Sequence, residues 1–133
     1  MEYRAGYKYQ LAEDEVFITG LPVNEAIETT FIILDVTGRL TVKAGYAWDG
    51  PSGPTIDTKS SMRGSLAHDA LYQLLRMGLL DAALRKRIDD LFGDICAEDG
   101  MWTWRKNSWV RQLKRFGSAA ADPKNQKKVY KAP

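Results

Sequence analysis

One histidine, His68, is followed directly by Asp69 and lies downstream of a loop rich in glycine, proline and aspartate. Because the chain has no other histidine, it cannot build a multi-histidine metal site or a histidine dyad. Catalysis at His68 would have to recruit carboxylates. Such a set suits a divalent ion such as Mg, Mn or Zn, or a histidine general base that an aspartate orients. The candidate carboxylates are Asp49, Asp57, Asp69 and Asp89.

The same residues allow a structural interpretation. In that alternative Asp49 or Ser52 bonds to His68 and ties the loop over residues 45–58 to the following helix as a clasp. Ser52 could also be a nucleophile, but the loop lacks the strand-turn-helix context of a nucleophile elbow, which favours a tight structural turn. Its glycines could present backbone N–H groups to an anion, although no P-loop or dinucleotide fingerprint is present.

Length and composition describe an ordinary globular chain. It has 133 residues, 44% hydrophobic and 27% charged, which is the size of one domain. One cysteine excludes an internal disulfide, and no apolar run is long enough for a signal peptide or a membrane span. We therefore expect a soluble protein that is not secreted on its own.

Alternating apolar residues predict strands in the first 44 residues. The segments 15–21, 29–36 and 39–46 are rich in β-branched and aromatic residues, and Thr37-Gly38 provides a turn between the last two. This pattern predicts an antiparallel meander with one strong hairpin.

Helical periodicity begins after the loop. The first helix is predicted from Met62 to Met77, with Ser60 or Ser61 as N-cap and Gly78 as its end. Its apolar half is expected to contain Leu66, Ala67, Ala70, Leu71, Leu74, Leu75 and Met77. His68 falls at the border of that half, within reach of Tyr72 four residues later.

A second helix is predicted from Asp81, as N-cap, to Glu98, with Gly100 after it. Asp89 falls in its apolar stripe one turn from Arg85, whereas Asp90 points to solvent. A buried Asp89 needs a partner, and Arg85 is predicted to pair with it. Cys96 lies on the same stripe and is interpreted as an inert core thiol.

A third segment, Thr103 to Phe116, combines tryptophans with arginines and lysines. Residues 1–102 carry a net charge of −6 and residues 103–133 carry +8. These features allow binding of nucleic acid or of a membrane surface. The helical line of Trp109, Leu113 and Phe116 instead favours an aromatic face packed on the domain.

Four short blocks follow one another along the chain: Trp48-Asp49-Gly50-Pro51-Ser52-Gly53-Pro54, His68-Asp69-Ala70-Leu71-Tyr72, Arg85 to Asp89 with Phe92, and Phe116-Gly117. In this order they resemble a family of small phage and prophage proteins that is catalogued only as a domain of unknown function. The resemblance covers somewhat over half of the chain. It implies a phage or prophage origin, and therefore a place in the host cytoplasm or in a virion, but supplies no activity. The recurring polar set that it implies is Asp49, Ser52, His68, Asp69 and Asp89.

Together these patterns predict an α+β domain over residues 1–117, with an N-terminal antiparallel β-meander covered by about three helices, and a basic, loosely ordered tail over 118–133. Two functions follow. One is a phage accessory protein with a metal-assisted hydrolase-like site, in which Asp49, His68 and Asp89 are ligands or acid/base groups and Asp69 is a ligand or orienter. Its substrate class (peptidoglycan, a phosphoester or a nucleotide) stays open. The other is a non-enzymatic protein that binds virion or host proteins and uses the same residues as a clasp.

Overall fold

A computed structural model describes residues 2–4, 7–48, 59–101, 106–108 and 110–114. Antiparallel strands are followed by helices, so the predicted α+β class is confirmed. The described strands and the described helices form two compact units. The assignment of residues 1–117 to one domain stays a prediction, and the tail over 118–133 lies outside the described residues.

The described residues contain seven short strands, which form two sheets rather than one meander. The four-stranded sheet has the order β3-β6-β5-β4 and the three-stranded sheet the order β1-β2-β7. The strands are β1 (Glu2–Arg4), β2 (Tyr7–Gln10), β3 (Glu15–Ile18), β4 (Ile27–Glu28), β5 (Ile32–Leu34), β6 (Arg39–Val42) and β7 (Ala47–Trp48). Alternation places one face of the larger sheet in the core, because successive side chains point to opposite faces. Its buried residues are Phe17, Ile32, Leu34, Leu40 and Val42.

The predicted hairpin is present and joins β5 to β6, with Leu34 opposite Leu40. The Asp35 carboxylate accepts hydrogen bonds from the backbone N–H groups of Thr37 and Arg39 and from the Thr37 hydroxyl. These bonds, led by the one from the hydroxyl, lower the pKa of Asp35. Gly38 has a φ of 86°, and a Cβ there would lie 2.8 Å from the Gly20 nitrogen, so the turn requires glycine.

The first helix, α1, spans Lys59–Arg76 and begins three residues before the predicted start. Ser60 and Ser61 therefore lie inside the helix and are not its N-cap. The prediction began at the first apolar residue of the periodic pattern, and the added turn is polar. Gly78, with a φ of 72°, ends the helix as predicted. Met77 is 38% exposed, so its predicted place on the buried half is wrong.

The second helix begins with a 3₁₀ turn at Ala82–Leu84 and continues as α2 over Arg85–Glu98. The Asp81 side chain accepts a hydrogen bond from the Ala83 N–H, which confirms Asp81 as N-cap. Gly100 follows with a φ of 96°. Residues 106–108 and 110–114 are helical, within the predicted third segment.

No helix in the described part of the chain combines the length and the hydrophobicity that a membrane span needs.

Candidate functional site

Helices α1 and α2 approach each other closely at Gly64. A Cβ atom on Gly64 would lie 2.7 Å from the Cys96 sulfur and 3.2 Å from the Phe92 carbonyl oxygen. The absence of a side chain at Gly64 therefore sets the short separation of the two helices. Further along, the Arg63 guanidinium bonds to Asp99 at 2.8 Å and ties the start of α1 to the end of α2.

The buried carboxylate of Asp89 on α2 forms hydrogen bonds with two side chains of α1. The first of them, His68, lies one turn after Gly64. Nε2 of His68 lies 2.8 Å from Oδ1 of Asp89, and the Tyr72 hydroxyl donates to the same oxygen at 2.6 Å. Asp89 is fully buried, and His68 and Tyr72 are 7% and 3% exposed. Because a carboxylate only accepts hydrogen bonds, Nε2 of His68 carries the shared proton. We call His68, Tyr72 and Asp89 the clasp.

The second oxygen of Asp89 faces Arg85, one turn earlier on α2. The Arg85 Nη1 atom lies 3.6 Å from Oδ2, an ion pair that confirms the pairing predicted from the sequence. Oδ2 makes no hydrogen bond within the described residues. Arg85 also donates to the Lys114 carbonyl oxygen at 3.3 Å. The arginine therefore places a positive charge beside a carboxylate that burial alone would disfavour.

Aromatic rings enclose His68 on two sides. Its ring lies 4.1 Å from the Tyr72 ring between centroids, tilted by 32°, and the Phe92 ring lies 5.7 Å away in an edge-on arrangement. On the remaining edge, Nδ1 lies 4.0 Å from Oδ1 of Asp69, beyond hydrogen-bond distance. The Asp69 side chain is 38% exposed, so this edge of the imidazole is the one nearest to solvent.

Charge balance decides the protonation of the clasp. Burial by itself lowers the pKa of His68, but the carboxylates of Asp69 and Asp89 outweigh it, so the pKa is raised above its ordinary value of 6.5. Burial and the Asp89 carboxylate both raise the pKa of Tyr72. Tyr72 therefore stays protonated as a donor at physiological pH, and a positive charge on His68 is stabilised.

The residues predicted as a site are only partly brought together. His68 and Asp89 meet, and Asp69 lies beside them; Asp49, Ser52 and Asp57 lie outside the described residues. Within the described residues, no three His, Cys, Asp or Glu side chains come together to hold a metal ion. The metal and catalytic roles of the set therefore stay predictions.

Tyr72 was not among the predicted site residues, yet it donates the shorter of the two hydrogen bonds to Asp89. The sequence carried a signal for it in the His-x-x-x-Tyr spacing, which places both side chains on one helix face. The predicted apolar half of the helix did not include this face. Ser65, His68 and Tyr72 are all buried on it.

Comparison with protein-family models, with curated proteins and with solved structures finds no significant match for this chain. The resemblance to a phage family therefore stays a prediction.

Proposed function

We propose that this chain is a non-enzymatic protein of phage or prophage type, virion-associated or host-interacting, in which the clasp holds α1 against α2. One observation carries the choice over catalysis. Oδ1 of Asp89 is fully buried and already accepts from both His68 and Tyr72. A ligand or metal ion at Oδ1 would have to displace these bonds and would leave buried polar groups without partners, which costs about 1–3 kcal/mol for each group.

The phage and partner assignment rests on the resemblance of the sequence blocks. The clasp joins two of these blocks, because His68 and Tyr72 belong to one and Asp89 to another. If the members of that family all hold this helix pair together in the same way, their sequences would keep the clasp residues even without a common reaction. Helices fixed in this way would present a rigid surface for a partner protein.

One observation favours a second candidate, a metal-assisted hydrolase. Nδ1 of His68 is not engaged by Asp89 and lies near the half-exposed Asp69. This nitrogen and the Asp69 carboxylate could face a divalent ion or act as a general base that Asp89 orients through Nε2. Asp49 and Ser52 would be the further predicted contributors. Peptidoglycan, phosphoester and nucleotide substrates are the classes to screen.

The decisive experiment compares the neighbours Asp89 and Asp90 by thermal and denaturant unfolding of the full chain. Asp89→Asn is expected to lower the free energy of unfolding by about 1–3 kcal/mol, because it weakens a buried, charge-assisted network. Asp90→Asn is the matched control, since Asp90 is exposed and forms a surface pair with Lys114. Surface pairs contribute at most about 1 kcal/mol.

The same melts, after chelator and then with Mg, Mn or Zn, separate the two candidates. The clasp predicts no rise in Tm with any ion and no turnover in a hydrolase screen. A metal-dependent rise that Asp69→Asn abolishes would instead indicate specific binding and support the hydrolase. Immunoblots of purified particles against host lysate distinguish the virion-associated form from the host-interacting form.

A further inference from the structure

Strand β3 forms an edge of the four-stranded sheet and carries two exposed apolar side chains. Its outer neighbour position is empty among the described strands, because the order is β3-β6-β5-β4. Phe17 points into the core, whereas Val16 and Ile18 on the opposite face are 37% and 77% exposed. Ile18 is the most exposed large hydrophobic residue in the described part of the chain.

The backbone of β3 offers hydrogen-bonding groups on its open side. The Thr19 N–H donates to the Gly38 carbonyl oxygen at 2.9 Å, which marks these two as a hydrogen-bonded pair. Hydrogen-bonded and non-hydrogen-bonded pairs alternate in an antiparallel ladder, so Glu15 and Phe17 also face β6. The N–H and C=O groups of Val16 and Ile18 therefore point away from the sheet.

Of the features that usually prevent strand addition, this edge carries one charged residue, Glu15, and no lysine, proline or bulge. Edge strands are commonly blocked by lysine, proline or a bulge. The β3 sequence EVFI has neither residue, and its four pairs with β6 run without a shift in register. By contrast, β4 at the other edge is only two residues long and ends at the exposed Glu28.

We propose that β3 is a self-association site, at which a second copy of this chain adds its own β3 antiparallel and joins the two four-stranded sheets. Two-fold symmetry centred on Phe17 fixes the register. Val16 then lies opposite Ile18 of the second copy, and their outward backbone groups form the hydrogen-bonded pairs. The four exposed apolar side chains come together on one face of the joined sheet.

The charges beside β3 are compatible with a second copy in this register. The acidic run of Glu13, Asp14 and Glu15 lies directly before the exposed apolar residues. In the two-fold register Glu15 lies opposite Thr19 of the second copy, and the residue opposite Asp14 is Gly20. No like charges face each other, and like charges directly opposite would weaken a strand pair. This inference is independent of the clasp and of the proposed function.

The first test is sedimentation equilibrium of the full chain over a range of concentrations. A reversible monomer–dimer equilibrium is expected, and Ile18→Lys should weaken it roughly tenfold or more, because two apolar contacts are lost and two charges are brought together. Val36→Lys is the matched control: Val36 is 56% exposed but lies in the turn after β5. It should leave the dimer unchanged.

A wild type that stays monomeric at all concentrations would overturn the proposal, as would a dimer that Ile18→Lys does not weaken. At concentrations where wild type is monomeric, Ile18→Lys should keep the Tm of wild type, since the side chain is largely exposed. If the Tm changes, the cross-linking of the cysteine variants described next tests the proposal instead.

The second test reads the register by disulfide cross-linking of Val16→Cys and Ile18→Cys variants. Opposed residues of a hydrogen-bonded pair have Cα atoms about 5.5 Å apart, within the range of about 4.4–6.8 Å that disulfides span. In a mixture of the two variants, Cys at position 16 of one copy lies directly opposite Cys at position 18 of the other, so the mixture should cross-link quickly. Either variant alone should cross-link more slowly, because its two cysteines lie diagonally across the strand pair. Equal rates would contradict this register. The native Cys96 is fully buried and does not compete.

Discussion

Asp89 and Asp90 are adjacent in the chain but lie in opposite environments. Asp89 is fully buried beneath α1, whereas the Asp90 side chain is 56% exposed and contacts Lys114 at 2.7 Å. A helix turns by about 100° per residue, so neighbours diverge in direction. The apolar stripe of α2 predicted this difference from the sequence, and the structure confirms it. Only the buried carboxylate has to be compensated by partners.

At the same scale, the raised pKa of His68 predicts a pH-dependent stability. The charged imidazole is stabilised in the folded state by Asp69 and Asp89, so its contribution is complete below the unfolded-state pKa near 6.5 and is lost as the pH rises through the folded-state value. Wild type should therefore exceed His68→Gln in Tm by more at pH 6 than at pH 9. Thermal melts across this range measure the difference.

Neighbouring groups do not produce the same effect. Tyr72 and Arg85 also face Asp89, but the raised pKa of Tyr72 and the permanently charged guanidinium of Arg85 keep both from titrating in this range. A difference in Tm that is constant between pH 6 and pH 9 would show that the imidazole does not change charge there. It would contradict the predicted direction of the pKa shift.

At the scale of elements, the α1–α2 contact depends on a glycine. A Cβ at Gly64 would overlap the Cys96 sulfur, which belongs to the core group with Phe92 and Met101. Val110 and Leu113 pack against this group, so it connects α2 to the helical residues 110–114. A shift of α2 away from Gly64 would therefore also displace the helical residues 110–114 that pack on α2.

Gly64→Ala is expected to destabilise the chain by about 1–3 kcal/mol through overpacking, despite the helix propensity that favours alanine by about 1 kcal/mol. Denaturant unfolding measures the change. In a Cys96→Ala background, where the sulfur is absent, the penalty should be smaller. Equal penalties in both backgrounds would mean that Gly64 does not contact Cys96 in solution.

Sequence reasoning succeeded where local patterns decide the structure. The Thr37-Gly38 turn, the Asp81 cap and the end of α1 at Gly78 depend on neighbouring residues, and all three are confirmed. The pairing of Arg85 with Asp89 is also local, because the residues are one turn apart. Local patterns therefore predicted both helices, the central hairpin and the ion pair between Arg85 and Asp89, which lies beside the clasp.

The features that could not be predicted from the sequence depend on contacts between residues far apart in the chain. The contact of His68 with Asp89 joins residues 21 positions apart, and no pattern within α1 shows that α2 covers its polar face. The division of the strands between two sheets is likewise a matter of long-range pairing, since Tyr9 pairs with Trp48. Residue types alone gave a candidate set but not its geometry.

At the scale of the whole molecule, charge is divided between an acidic body and a basic C-terminal region. The described part of that region is partly neutralised, because Lys106 lies 3.6 Å from Asp94 and Lys114 pairs with Asp90. Both carboxylates belong to the exposed side of α2. These pairs favour packing of the basic segment on α2 over a surface that is free to bind phosphates.

We therefore expect no retention of the chain on DNA at physiological salt. Chromatography on immobilised duplex DNA at several salt concentrations tests this. Binding through the basic region would fall steeply with salt, because each neutralised phosphate releases counterions. Strong retention with such a slope, lost on Lys114→Glu together with Lys106→Glu, would show that these lysines contact nucleic acid instead of α2.

Because Cys96 is buried under Gly64, the rate at which its thiol reacts reports how fast the packing around it opens. The thiol is fully buried among α1, α2 and residues 110–114, so a reagent in solution can reach it only after this packing has opened. When the reagent is abundant, its reaction rate equals the rate of that opening. When it is scarce, the rate reports how often the open state is populated. Varying the concentration of the reagent thus separates the lifetime of the closed packing around Cys96 from its stability.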